Sequence, residues 1–97
     1  MLFAFVCQDK PGALQVRLDT RPAHIAFLDG LNAEGKLALA GPFLDADGKP
    51  NGSLVVVEAP DLAGAQALSV ADPYAKAGLF ASVEVKAWNW TYNKPEA

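Results

Sequence analysis

A chain of 97 residues, 52% of them hydrophobic and 20% charged, has the size and composition of one folded domain rather than a disordered segment. Its formal net charge of −3 and its scattered lysines and arginines argue against a nucleic-acid-binding protein, which usually carries a basic stripe. Its apolar start is too short for a signal peptide or for a membrane span of roughly twenty residues. We therefore expect a single domain over residues 1–97 that is cytoplasmic and contacts neither nucleic acid nor membrane.

The first third of the chain predicts a strand followed by two helical segments. The apolar run at 2–8 indicates a strand, which is ended by the turn residues that follow it. From Ala13 to Glu34 the apolar residues recur at helical spacing, but Pro22 fits poorly inside one continuous helix. We expect a second helix to begin there, with Pro22 in its first turn and Thr20 or Arg21 near its cap.

The middle of the chain predicts a hairpin of two strands. Residues 36–44 are typical of a strand, with a bend or bulge expected at Gly41-Pro42. Residues 45–52 are dense in turn-forming types and predict the connecting loop. The valine-rich segment at 53–60 is the clearest strand in the sequence.

The last third predicts an interrupted helix and a final strand. Asp61 is a candidate N-cap for a helix within residues 61–78, and Asp72-Pro73 is expected to break that helix. The helix face expected to be buried holds Leu62, Ala65, Leu68 and Ser69. Residues 79–92 alternate well enough to predict the last strand.

The order of these elements predicts an α+β fold. Strand, helix, strand, strand, helix, strand is the split βαββαβ pattern of the ferredoxin-like fold, a four-stranded antiparallel sheet with helices on one face. The other face must meet water or another subunit. Trp88, Trp90 and Tyr92 share one side of the last predicted strand, and an exposed aromatic row marks a contact surface. We expect a homodimer, paired through the sheet faces or the C-terminal strand; the alternative is that these rings cover the monomer's own helix edge.

Several familiar catalytic signatures are missing from the sequence. It contains no glycine-rich phosphate loop and no Gly-x-Ser-x-Gly motif. One histidine and one cysteine cannot supply the three or four ligands of a zinc site, so we expect neither a metal nor another cofactor. Cys7, alone in an apolar strand, is typical of a small core residue.

The single histidine is the main candidate for chemistry. His24 shares one helix face with Phe27, Leu28 and Leu31, at i+3, i+4 and i+7. A buried imidazole needs hydrogen-bond partners, and Asp72 at the break of the second helix is the best candidate, because the two helices of a ferredoxin-like fold lie side by side. Such a pair leaves the second ring nitrogen free to take a proton. The alternative is a core histidine bonded to a backbone carbonyl.

Four polar residues can complete a binding site around this histidine. Arg17 and Arg21 share its side of the helix if the helical register continues through Pro22, and arginine is the usual bidentate partner of a carboxylate. Ser53 and Tyr74 can add hydroxyl donors. The alternatives are solvated arginines in a first helical turn, a strand-edge serine and a packing tyrosine.

Longer motifs make the chain similar to a known family. The sequence contains R-x3-R-P-x-H ending at His24, E-G-x-L-x3-G-P ending at Pro42, a Gly-Ser pair ending at Ser53, and A-D-P-Y-x3-G ending at Gly78. In this combination it resembles the YciI-like proteins, which are related to muconolactone isomerases and chloromuconolactone dehalogenases in the dimeric α/β-barrel group.

The resemblance implies a ferredoxin-like fold that dimerises through its sheets. It also implies an active site centred on a histidine and an aspartate, which fall here on His24 and Asp72. Gly41, Pro42 and Ser53 match other recurrent family positions near that pocket. The loop around residues 44–53 is short, so a lid found in longer relatives is expected to be reduced.

The residues and the resemblance together lead to one functional hypothesis and two alternatives. We expect a small cofactor-independent enzyme that acts on a small carboxylated or lactone-like molecule by isomerisation, loss of halide or hydrolysis. His24 is the expected general acid/base, Asp72 orients it, and Arg17 or Arg21 holds the anion. The alternatives are a module that binds a small ligand without turnover, and a structural dimer whose His–Asp pair only ties the helices together.

Overall fold

The computed structural model describes residues 1–95 and confirms the predicted fold class. Its strands are β1 (Leu2–Asp9), β2 (Leu37–Leu44), β3 (Pro50–Glu58) and β4 (Phe80–Trp88), and its helices are α1 (Leu14–Ala33), α2 (Leu62–Ala71) and α3 (Pro73–Lys76). The strands form one antiparallel sheet in the order β2-β3-β1-β4, with the helices on one face. Within residues 1–95, no helix combines the length and apolar character needed to cross a membrane.

The core lies between the helices and one face of the sheet. Because side chains alternate along a strand, every second residue of β1 faces the helices. These positions hold Phe3, Phe5 and Cys7, which pair with Val57, Val55 and Ser53 of β3. Leu28 and Leu31 of α1 and Ala65 of α2 pack against them. Burying each large apolar side chain contributes about 1.5–3 kcal/mol, so this layer fixes both the strand register and the face that α1 presents.

Helix α1 is continuous through Pro22, so the predicted division into two helices is wrong. Pro22 lacks the N–H that would bond the carbonyl of Leu18, but both residues are exposed, and water can hydrogen-bond to that carbonyl. The buried face with His24, Leu28 and Leu31 stabilises the helix despite the proline. The register of α1 therefore runs unbroken from its first turn to the histidine.

The hairpin differs in detail from the prediction. Strand β3 begins at Pro50 rather than at 53 and ends at Glu58, which shortens the connecting loop to residues 45–49. Gly41-Pro42 pairs regularly with β3, and the irregularities of β2 lie elsewhere, between Leu37 and Leu39 and between Phe43 and Leu44. Strand β2 is at the edge of the sheet, where proline is tolerated.

The last strand is shorter than predicted. It ends at Trp88, which pairs with Leu2, the first residue of β1, so no residue of β1 remains to extend the ladder. Trp90 and Tyr92 lie beyond the strand, and the prediction that they share a strand face with Trp88 is wrong. Instead, the indole Nε1 of Trp90 donates to the Tyr92 carbonyl at 2.6 Å.

The second helix begins as predicted. The Asp61 carboxylate caps α2 by accepting a hydrogen bond from the Gly64 N–H at 2.8 Å. Ala65 and Ser69 are buried as expected, whereas Leu62 is 47% exposed and does not belong to the packed face. The helix ends at Ala71, where the Asp72-Pro73 pair was expected to break it.

Candidate functional site

A cavity of about 310 Å³ lies between α1, α3 and the strands β2 and β3. Its volume is at the lower end of the range for small-molecule sites. The polar part of its lining consists of Arg17, Arg21, His24, Ser53 and Tyr74, all five of which the sequence had singled out. The rest is mostly apolar and includes Leu18, Ile25, Leu28, Pro42 and Val55.

His24 and Asp72 are in direct contact beside this cavity. The imidazole Nδ1 of His24 lies 2.8 Å from Oδ1 of Asp72, and their side chains are only 9% and 10% exposed. Because a carboxylate accepts hydrogen bonds, Nδ1 donates, and Nε2 is the ring nitrogen left for another partner. His24 lines the cavity, whereas Asp72 is not part of its lining.

Asp72 is held in place by the start of α3. It caps that helix, and its Oδ1 also accepts a hydrogen bond from the backbone N–H of Tyr74 at 2.9 Å. Pro73 occupies the first position of α3, where its missing N–H costs no hydrogen bond. The break between α2 and α3 therefore fixes the carboxylate that contacts the histidine.

The ring of Tyr74 supports the imidazole from one face. The two rings stack with centroids 4.0 Å apart and planes inclined by 19°, and Phe80 contacts Tyr74 edge-on at 6.0 Å. Burial raises the pKa of the Tyr74 hydroxyl, although the charges of Arg17 and Arg21 act in the opposite direction. The hydroxyl thus stays protonated at neutral pH and can serve as a donor.

Arg17 is buried in an ion pair and is not a solvated residue of the first helical turn. Its Nε donates to Oδ2 of Asp9 at 2.7 Å and its Nη2 to Oδ1 at 2.8 Å, which is a bidentate pair. Nη2 also donates to Oγ of Ser53 at 3.0 Å. Burial alone would lower the pKa of Arg17, but the hydrogen bond and charge of Asp9 raise it above its usual value. Arg17 is therefore a cation whose charge Asp9 already neutralises.

Asp9 is the site residue that sequence reasoning missed. The predicted first strand stopped at residue 8, and Asp9 was assigned to the turn. The strand in fact includes Asp9 and continues the alternation of Phe3, Phe5 and Cys7 on the face toward the helices. This recurrence at every second residue was the sequence signal that could have identified Asp9 as a residue facing the helices.

The remaining polar groups leave a positive, donor-rich wall. Arg21 is exposed at the cavity and makes no ion pair among residues 1–95. Because Ser53 already accepts from Arg17, its own hydroxyl hydrogen is available as a donor. The wall is therefore suited to a ligand with anionic or carbonyl oxygens.

Cys7 lies on β1 opposite Ser53, close to both charged pairs. Burial raises its pKa to about 12; the charges of Asp72 and Asp9 act in the same direction and that of Arg17 opposes them. The thiol is therefore protonated at neutral pH and is a poor nucleophile. Within residues 1–95, no group of three or more histidine, cysteine or acidic residues is placed to hold a metal ion.

A solved structure matches both the fold and much of the sequence. It is 5-chloro-2-hydroxyhydroquinone dehydrochlorinase (TftG) from Burkholderia phenoliruptrix AC1100, in complex with 2,5-dihydroxybenzoquinone. The TM-score is 0.86 and the identity 37%, over 98% of this chain and 100% of that chain.

Sequence relatives define the family. Protein YciI of Escherichia coli O6:H1 is 42% identical over 92 residues, which cover 89% of this chain and 94% of that protein. An uncharacterized protein of Haemophilus influenzae is 36% identical with the same coverage. The YCII-related domain matches residues 1–89, and the chain belongs to this family.

Proposed function

We propose that this YCII-related protein is a single-domain, cofactor-independent enzyme in which His24 moves a proton to or from a small anionic metabolite. One observation carries the proposal: His24 contacts Asp72 through Nδ1 while lining a cavity of about 310 Å³. A histidine with a purely structural role between the helices would need the contact with Asp72 but would not need to line a cavity. A buried, carboxylate-paired imidazole in a cleft is the arrangement expected of a general acid/base.

The two residues of the pair have different roles in this proposal. Asp72 fixes the tautomer and orientation of the ring and stabilises the imidazolium that forms when Nε2 accepts a proton. His24 is the group that exchanges the proton with the substrate. General acid/base catalysis of this kind contributes about 10²–10⁴-fold to the rate.

The lining of the cavity supports a small ring that carries oxygen atoms. Because Asp9 neutralises Arg17, we assign the anion-binding role to Arg21, with Ser53 and Tyr74 as hydroxyl donors. The apolar residues of the lining would contact the ring itself. Carboxylated and lactone-like molecules fit this description, and so does a hydroxylated quinone such as the ligand bound to TftG.

Loss of halide is the reaction that the relative's activity favours. In that reaction His24 would remove a proton from a carbon beside a carbonyl group. The electron pair of the broken C–H bond would form a carbon–carbon double bond, and the halide would leave as an anion. Isomerisation begins with the same proton transfer, and hydrolysis would use His24 to activate water.

Turnover and binding measured on one set of compounds test the proposal. The compounds are 5-chloro-2-hydroxyhydroquinone, chloromuconolactone and muconolactone as substrates, and 2,5-dihydroxybenzoquinone as a ligand. We expect His24→Asn to lower turnover by about 10²–10⁴-fold while thermal stability and ligand binding stay close to those of the wild type.

The other outcomes contradict the proposal in different ways. Binding without turnover of any substrate would favour a ligand-binding module. A marked loss of thermal stability in His24→Asn, with no binding by the wild type, would favour a purely structural pair.

We also propose that the sheet face turned away from the helices pairs with a second copy of the chain. That face carries half-buried apolar side chains in the middle of the sheet, namely Leu2 and Val6 of β1 and Leu54 of β3. Apolar area of this kind on an uncovered face marks a contact surface. In sedimentation experiments we expect a dimer that Leu54→Glu dissociates and that Leu62→Glu, on the exposed side of α2, does not. A wild-type chain that sediments as a monomer would contradict this.

A further inference from the structure

A series of side-chain contacts connects Asp9 to His24 across the core. Asp9 holds Arg17 through two hydrogen bonds of 2.7 and 2.8 Å. The guanidinium carbon of Arg17 lies 4.6 Å from the centre of the Tyr74 ring, which in turn stacks on the imidazole of His24 at 4.0 Å. These four residues come from β1, α1 and α3, so the contacts join three elements of the fold.

We infer that Asp9 is a positioning residue for His24, acting through Arg17 and Tyr74. The effect of this positioning on catalysis rests on the proposed function, whereas the contacts themselves do not depend on it. Asp9 is not among the residues that the sequence predicts for chemistry or binding.

The geometry of the ion pair explains how a distant carboxylate can orient a ring. A bidentate carboxylate fixes the plane of a guanidinium as well as its position, which a single contact cannot do. The side chains of Arg17 and Asp9 are only 4% and 5% exposed, so neither can turn toward solvent. The fixed guanidinium limits where the Tyr74 ring can lie, and that ring covers one face of the imidazole.

The imidazole can be observed directly, because His24 is the only histidine in the chain. Its ring protons give one set of NMR signals, and stacking on Tyr74 displaces them from their positions in the urea-unfolded protein. Asp9→Asn keeps the size of the side chain and removes its charge. At a temperature well below unfolding, we expect this variant to lose at least half of that displacement.

Two further variants separate positioning from general stability. Arg17→Lys keeps a positive charge for Asp9 but lacks the planar guanidinium, so we expect it to lose the displacement as well. Asp19→Asn is the matched control, since Asp19 is an exposed carboxylate on α1 that accepts a hydrogen bond from Gln15. We expect this control to leave the histidine signals unchanged.

The kinetic readout links the inference to the proposed reaction. With the substrate that the wild type converts, we expect Asp9→Asn to lower kcat about tenfold while KM changes by less than about threefold. If the wild type converts no substrate, the proposed function fails, and the NMR signals still decide whether Asp9 positions the imidazole.

The inference is overturned if folded Asp9→Asn and Arg17→Lys both show wild-type histidine signals. Should Asp9→Asn fail to fold, Arg17→Lys alone decides the matter. Retained signals with lower thermal stability would assign the ion pair to the scaffold only.

Discussion

Two buried pairs each join a basic residue of α1 to a carboxylate from another part of the chain, and the two pairs are built differently. Arg17 donates two hydrogen bonds to Asp9 and a third to Ser53. His24 donates one hydrogen bond to Asp72, which uses one of its two ring nitrogens. Both pairs are almost fully enclosed, so the number of partners, not exposure, separates them.

In the proposed function, only one of these two pairs changes its protonation during the reaction. The Arg17–Asp9 pair matches a permanent cation with a carboxylate, and both charges are balanced within the fold. The His24–Asp72 pair contains an imidazole, which has a second ring nitrogen able to donate or accept a proton, and this ring lines the cavity. The proposal thus gives the Arg17–Asp9 pair a supporting role and the His24–Asp72 pair the chemical one.

The largest effect is expected from breaking the Arg17–Asp9 pair on one side. Arg17→Met leaves the carboxylate of Asp9 buried without a counterion, and we expect a loss of about 3–5 kcal/mol in the free energy of unfolding. Urea denaturation measures this. The double variant Asp9→Leu/Arg17→Met removes both charges and should recover most of the loss. An Arg17→Met protein within about 1 kcal/mol of the wild type would show that the pair is not a fold-stabilising unit.

At the His24–Asp72 pair we expect a smaller effect on the free energy of unfolding but a large effect on the rate of turnover. Asp72→Asn keeps an oxygen that can accept from the Tyr74 N–H, so we expect a stability loss of only about 1 kcal/mol. Turnover should fall about a hundredfold, because the imidazole loses its anionic partner. Asp61→Asn is the control, since Asp61 caps α2 through a comparable hydrogen bond and lies outside the cavity lining. Equal turnover in the two variants would contradict the assigned role of Asp72.

The smallest effect is expected at Cys7, between the two pairs. Burial is the main cause that raises its pKa to about 12 in the folded protein, from an ordinary value of 9.0. A raised thiol pKa means that its contribution to stability is complete below the unfolded value and is lost as the pH rises toward the folded one. Between about pH 8 and pH 10 we expect Cys7 to account for a loss of about 1 kcal/mol. Urea denaturation of the wild type and of Cys7→Ala should show a steeper decline in the wild type, and parallel declines would contradict the prediction.

Local sequence patterns predicted the His–Asp pair for physical reasons that the structure makes clear. Helical spacing placed His24 with apolar neighbours, and the Asp72-Pro73 break placed a capping carboxylate where α2 and α3 meet. Both signals are local, and the ferredoxin-like order of elements brought them together. Their role in a reaction stays a prediction.

Features that depend on long-range packing could not be predicted in the same way. Pro22 alone indicates a helix start, and only the buried face of α1 shows why the helix continues through it. Asp9 resembles a turn residue until Arg17 is known to be buried. Trp90 and Tyr92 continue the alternation of β4, but the ladder stops where β1 runs out of partners.

Because β2 lies at the edge of the sheet, the part of the cavity wall that it forms can change without a change in the rest of the site. Gly41 and Pro42 line the cavity, yet their strand pairs with a single neighbour, β3. His24 and Tyr74, in contrast, belong to helices that pack together on the sheet. Substitutions along β2 can therefore reshape the cavity for ligands of different outline while His24 and Tyr74 keep their places, which is a simple route by which related proteins can come to bind different ligands.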